Sequence, residues 1–171
     1  MNKKSEERGR RASIDGFANE KIVCGLLMKK YGNVSMVDLP LSSYDITMVN
    51  KLEDDSEDII RIQSKTASKS VSFTGGGRGG VDRTYKSGVK TYVQSPKRSD
   101  CVVGIHFEDG EPELYFVPTF LIVELKSKSG EQAKSISINR IKQLKNNYEM
   151  LEKCKDRGFV IREAKKYGIL P

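Results

Sequence analysis

The nine residues from Asn50 to Asp58 carry five carboxylates, too much charge to lie inside a protein. Tyr44 to Val49 before them and Ile59 to Thr66 after them are both suited to strands, so the chain is expected to turn back here as a hairpin. Pairing would then bring Asp45 opposite the region of Gln63. Side chains two apart on a strand share a face, which points Gln63 and Lys65 together and sends Ile60, Ile62 and Ser64 to the other side. An acid on one strand, with an amide oxygen and a lysine at i and i+2 on its neighbour, is the arrangement that a metal-dependent phosphodiesterase needs.

The remaining elements flank this hairpin. Residues 1–12 are charged and poor in apolar side chains, and read as a basic flexible arm, either a solvated tail or a DNA contact. From Ser13, the residues Ile14, Phe17, Ala18, Ile22 and Leu26 recur at helical spacing up to Tyr31, with Ser13 as N-cap and Gly32 as the stop. Glu20 lies at the border of that stripe. Asn33 to Asp38 alternates as a short strand, and Pro40 to Ser43 is a loop.

Between 74 and 92 lies a glycine-rich stretch in which Arg78, Arg83, Lys86 and Lys90 interleave with Tyr85 and Tyr92. Backbone charges alternating with stacking surfaces suit nucleic acid. Gly75, Gly77 and Gly80 satisfy GxGxxG, but no helix pattern follows, and the chain has no GxxxxGK[ST]. Cys101 to Phe107 then predicts a buried strand containing His106, Glu108 to Gly110 a turn, and Glu113 to Val117 its partner. A short helix follows from Pro118 or Thr119 through Leu125. Ile138, Ile141, Leu144, Tyr148, Leu151 and Cys154 trace one helical stripe that Gly158 ends, with another short helix or a tail in 159–171.

With 171 residues, one domain is expected. Cys24, Cys101 and Cys154 lie far apart without CxxC spacing, which predicts buried thiols in place of a disulfide framework or zinc site. The single histidine argues against an imidazole-based nuclease site. Net charge is +7 and the isoelectric point about 9.2, suited to a polyanion. No run approaches the roughly 18 apolar residues of a membrane span. The first residues also lack the apolar core of a signal peptide, so a cytoplasmic, intracellular protein without a membrane partner is expected.

Taken in order, the helix with Glu20, the strand with Tyr44-Asp45-Ile46, the strand with Arg61-Ile62-Gln63-Ser64-Lys65-Thr66-Ala67 and the strand with Tyr115-Phe116-Val117-Pro118 resemble the PD-(D/E)XK nuclease superfamily. The likeness is greatest to the branch that includes group I intron-encoded homing endonucleases, and covers roughly residues 13 to 123. Tyr44 stands where the motif has proline, and Gln63 where it usually has an acid.

The resemblance implies an α/β fold with a restriction-endonuclease-like core, a central mixed β-sheet flanked by helices, over 13–125. Residues 126–171 would be a C-terminal helical segment of the same domain. It also implies a Mg²⁺-dependent endonuclease, with Mn²⁺ able to substitute, that leaves 5′-phosphates on DNA. Asp45 would bind the metal, Gln63 bind or orient it, the Ser64 backbone carbonyl complete the protein ligands, and Glu20 serve as accessory ligand. Lys65 would orient the attacking water. Site-specific homing or restriction cleavage, Holliday-junction resolution and repair are the candidate uses, with a homodimer or higher oligomer expected if two strands are cut. A catalytically inactive DNA-binding module is the alternative from another class.

Overall fold

Val23, Cys24 and Leu27 stand three and four residues apart, so a helix places them on one side, and these are the residues that the first helix, α1 (Lys3–Tyr31), buries. The structure is a computed structural model of the chain and describes residues 3–39, 42–52, 54–76 and 91–171. Two expectations are corrected here. The helix starts at Lys3, so residues 3–12 of the expected arm are helical, and Ser13 sits inside the helix with its hydroxyl donating to the Gly9 carbonyl (3.1 Å) instead of capping it. The expected stripe is also rotated: Ile14 is 64% exposed and Phe17 59%, and Ile22 is exposed as well. Only the C-terminal part of α1 lies on the sheet, and there the track Asn19, Val23, Leu27 faces inward. Gly32, at φ +77°, ends the helix as expected, its N–H donating to the Met28 carbonyl at 2.8 Å.

The chain continues into β1 (Val34–Met36), β2 (Ile46–Lys51) and β3 (Glu57–Thr66), which pair antiparallel in succession around the acidic turn. Three short strands follow: β4 (Ser70–Ser72), β5 (Thr74–Gly75) and β6 (Tyr92–Val93). The long hairpin of β7 (Cys101–Glu108) and β8 (Glu111–Pro118) then adds to the sheet, β7 lying parallel to β3. The protein is therefore mixed α/β, with a five-stranded mixed sheet in the order β1-β2-β3-β7-β8.

Register sets the two faces. Ile46 pairs with Ile62 and Met48 with Ile60, and all four are fully buried on one face together with Val103, Ile105, Leu114 and Phe116. α1 covers that face, where the Asn19 side-chain amide donates to the Thr66 hydroxyl at 2.8 Å. On the opposite face Lys65 aligns with Gly104, and Val71 of β4 crosses directly above: a Cβ on Gly104 would lie 2.5 Å from its Cγ2. Gly104→Ala should therefore lift β4 and cost about 1–3 kcal/mol, read by chemical denaturation.

After β8 come α2 (Thr119–Glu124), β9 (Ser135–Ser137) paired with β4, a 3₁₀ helix (Ile138–Leu144), α3 (Tyr148–Glu152) and α4 (Arg157–Lys166). The single helix expected from Ile138 to Cys154 is thus broken. Asn146 adopts φ +50°, donates its N–H to the Leu114 carbonyl (2.6 Å) and accepts from the Leu114 N–H through Oδ1 (3.0 Å), while Lys145 bridges to Tyr115. These bonds occupy the open edge of β8, which a continuous helix would leave bare. Ile141, Leu144, Leu151 and Cys154 are buried all the same. Gly158 lies in the first turn of α4, which Asp156 caps by accepting from the Phe159 N–H at 2.9 Å. All three cysteines are free and buried. His106 is a strand residue, its Nδ1 3.0 Å from the Ala67 carbonyl. Among the described residues, no helix is long and apolar enough to cross a membrane.

Candidate active site

Asp45 directly precedes β2, and its N–H donates to the Ile62 carbonyl at 2.9 Å, so the backbone pairing of the hairpin places the residue beside Gln63 and Ser64. Here the side chain replaces the strand as partner: Oδ2 accepts from the Ser64 N–H at 2.8 Å and from the Gln63 side-chain amide. In an extended residue the N–H and C=O leave on the same side, and the Ser64 carbonyl there accepts from the same Gln63 amide at 3.4 Å. Asp45, Gln63 and Lys65 all line one cleft of about 380 Å³, with Thr74 and Tyr92 also on its wall. Tyr92 carries the Arg98 guanidinium 3.8 Å above its ring centroid. Arg78, Arg83, Tyr85, Lys86 and Lys90 lie outside the described residues.

The orientation of Gln63 follows from a carbonyl far away in sequence. Gln94, fully buried, donates its amide to the Ser43 carbonyl and to Gln63 Oε1, both at 2.9 Å, and accepts from the Ser99 hydroxyl at 2.9 Å. A backbone carbonyl can only accept, so Ser43 fixes the NH₂ end of Gln94. Gln94 in turn holds the oxygen of Gln63, which leaves the Gln63 NH₂ to face Asp45. The chain of amides thus makes Gln63 a donor that holds Asp45, with its oxygen turned away from the carboxylate. Gln94→Leu would strand two buried polar atoms, Gln63 Oε1 and the Ser99 hydroxyl, and a loss of about 2 kcal/mol in unfolding free energy is expected, measurable by urea titration.

The three ionisable groups of the site are each driven towards neutrality by burial. Burial pushes the Asp45 carboxyl up, against the Ser64 N–H, the Lys65 charge and the Gln63 amide. Lys65 is pushed down by burial, against the attraction of Asp45 and Glu20. Glu20 is raised to about 6, first by burial and then by the charge of Asp45, with Lys65 and Lys21 opposing. Glu20 comes from α1, one residue after Asn19, whose bond to Thr66 fixes the helix on β3 and so brings Glu20 within the field of the other two.

The donor set suits a hard cation: an Asp45 oxygen that accepts nothing among the described residues, the Ser64 carbonyl and the Glu20 carboxylate are all oxygen ligands. Among the described residues no group of three or more His, Cys, Asp or Glu side chains is placed to hold a metal.

Sequence reading missed Gln94, Ser99 and Asn19. Gln94 and Ser99 sit in the loop before β7 without periodicity or motif, and only their burial marks them. Asn19 could have been noticed as a polar residue on the track of Val23 and Leu27. Compared with family models, curated proteins and solved structures, the chain matches none.

Proposed function

We propose that this chain is a divalent-metal-dependent DNA endonuclease with a restriction-endonuclease-like core, cutting at a specific sequence as homing or restriction enzymes do. The observation that carries this reading is that Asp45 and Lys65 line one polar cleft, with the Glu20 carboxylate of α1 near enough to feel both charges. Structural ion pairs gain from their charges, whereas here burial penalises all three, a pattern typical of sites built to meet a charged ligand.

Asp45, the Ser64 carbonyl and Glu20 would hold Mg²⁺ or Mn²⁺. Bound there, the ion would lower the pKa of a ligated water and offset charge on the phosphate. Gln63 holds Asp45 in place through its NH₂. Lys65 orients the attacking water and stabilises the charge that develops on the phosphoryl oxygens. Attack by the water oxygen on phosphorus then breaks the P–O3′ bond, leaving a 5′-phosphate and a 3′-hydroxyl. Cleavage of both strands calls for a homodimer or higher oligomer, which sedimentation on DNA would report.

The turned-away oxygen of Gln63 favours a second reading, a DNA-binding module without catalysis, because the site then has one ligand fewer. The deciding experiment offers supercoiled plasmid, linear duplex and a four-way junction to wild type and Lys65→Ala, each with Mg²⁺, Mn²⁺ or EDTA. Metal-dependent cutting that Lys65→Ala loses supports the nuclease. Preference for the junction would assign a resolvase. DNA binding without cutting under any metal would favour the binding module.

A further inference from the structure

The candidate active site is not the only cleft among the described residues. A second, of about 340 Å³, is lined by Lys126, Lys128, Lys134 and Arg140 and by no carboxylate. Glu131, the acid of the same loop, is not on its wall. Among the described residues, none of the four cations takes part in an ion pair, although eight such pairs occur elsewhere. Arg140 is anchored through one nitrogen, which donates to the Ile169 carbonyl at 2.9 Å. Four cations around a concave surface repel one another, and a bound anion relieves that repulsion.

Position in the fold suggests which anion. Ser72 of β4 lines the cleft of Asp45 and Lys65, and its partner across the β4–β9 pair, Ser135, lines the basic cleft. Cross-strand partners stand about 5 Å apart, so one wall residue of each cleft meets across this ribbon. Each DNA strand offers a phosphate about every 3.4 Å along the helix axis. A strand seated over Asp45 therefore has further phosphates within reach of the basic cleft.

We propose that the cleft of Lys126, Lys128, Lys134 and Arg140 is a phosphate-backbone site that holds the DNA flanking the scissile bond. The inference rests on the nuclease reading for its choice of DNA. The cleft adds affinity without reading sequence, since lysines and an arginine facing phosphates carry no base information.

The test uses full-length protein and the triple variant Lys126→Gln/Lys128→Gln/Lys134→Gln, with Lys29→Gln/Lys51→Gln/Lys165→Gln as a control of equal charge. Binding of a 40-base-pair duplex is followed by fluorescence anisotropy in EDTA over a salt series. The plot of log affinity against log salt should become shallower by about 2–3 in the cleft variant, at roughly 0.9 for each phosphate that is no longer neutralised. Affinity should fall at least tenfold, and the control should retain most of the wild-type slope. Equal loss in both variants, or no loss in the cleft variant while wild type binds, overturns this inference and leaves the nuclease reading standing. Absence of DNA binding by wild type overturns both.

Discussion

Asp45→Asn should abolish metal-dependent cleavage, by more than about a hundredfold, while leaving the melting temperature unchanged or higher. The asparagine oxygen can take the place of Oδ2 and keep the bonds from the Ser64 N–H and the Gln63 amide, so the local fold survives. What disappears is the anionic ligand. The direction of the stability change follows from the carboxyl being raised by burial. A folded state that holds its proton more tightly than the unfolded chain is most stable at low pH and loses stability as pH rises from the ordinary carboxylate value through the folded one. At neutral pH the ionised side chain therefore opposes folding, and the amide removes that opposition. Glu20, raised to about 6, acts in the same sense between 4.5 and 6. Lys65, pushed down, opposes folding at low pH, and that opposition lifts as pH rises from its folded value to the ordinary lysine one.

The same shifts predict that Mg²⁺ affinity climbs as pH passes 6, when Glu20 ionises, and that binding at pH 6 releases protons. Calorimetry in two buffers of different ionisation enthalpy, with differential scanning fluorimetry of Asp45→Asn, checks both. Full cleavage by Asp45→Asn would refute the site assignment.

Asp100→Ala should have the largest effect on stability, about 3–5 kcal/mol. At this chain length that is a fall of roughly 10 °C in melting temperature. Asp100 is only 7% exposed and accepts from the Arg61 backbone N–H (2.7 Å), Nε (3.0 Å) and Nη2 (2.8 Å). The same guanidinium also reaches the Pro96 carbonyl at 2.8 Å. Asp100 further ties the start of β7 to α2, its carbonyl accepting from the Thr119 N–H at 3.0 Å. Removal of the carboxylate leaves a partly buried guanidinium without its counter-charge, and that stranded charge accounts for most of the loss. The double variant Arg61→Met/Asp100→Leu should therefore recover much of the stability lost by Asp100→Ala. Thermal denaturation of the three proteins decides, and equal instability of the single and double variants would refute this account.

The hairpin around the acidic turn was legible because its signals are local. Charge forces the turn outward, and period-two alternation assigns Gln63 and Lys65 to one face whatever packs above them. β7, β8 and α2 were legible for the same reason, each being bounded by turn residues or proline. The apolar residues of the C-terminal stripe were also recognisable as core, although the backbone that carries them is broken at Asn146. A burial pattern shows which side chains go inside, not which hydrogen bonds the backbone makes. The bonds that matter there are to Leu114, 32 residues earlier in the chain.

Tertiary structure alone decided the rest. A helical period can be met by more than one track on α1, and packing against β1 and β3 selected Asn19, Val23 and Leu27 over Ile14, Phe17 and Ile22. That choice also placed Glu20 beside the site. The direction in which Gln63 presents its amide depends on Gln94, 31 residues away, and through it on the Ser43 carbonyl, 51 residues from Gln94. Hydrogen-bond polarity propagates through neighbours in space and leaves no periodic trace in the chain. Sequence by itself therefore determined which groups could gather at the head of the hairpin, and folding decided which way they face.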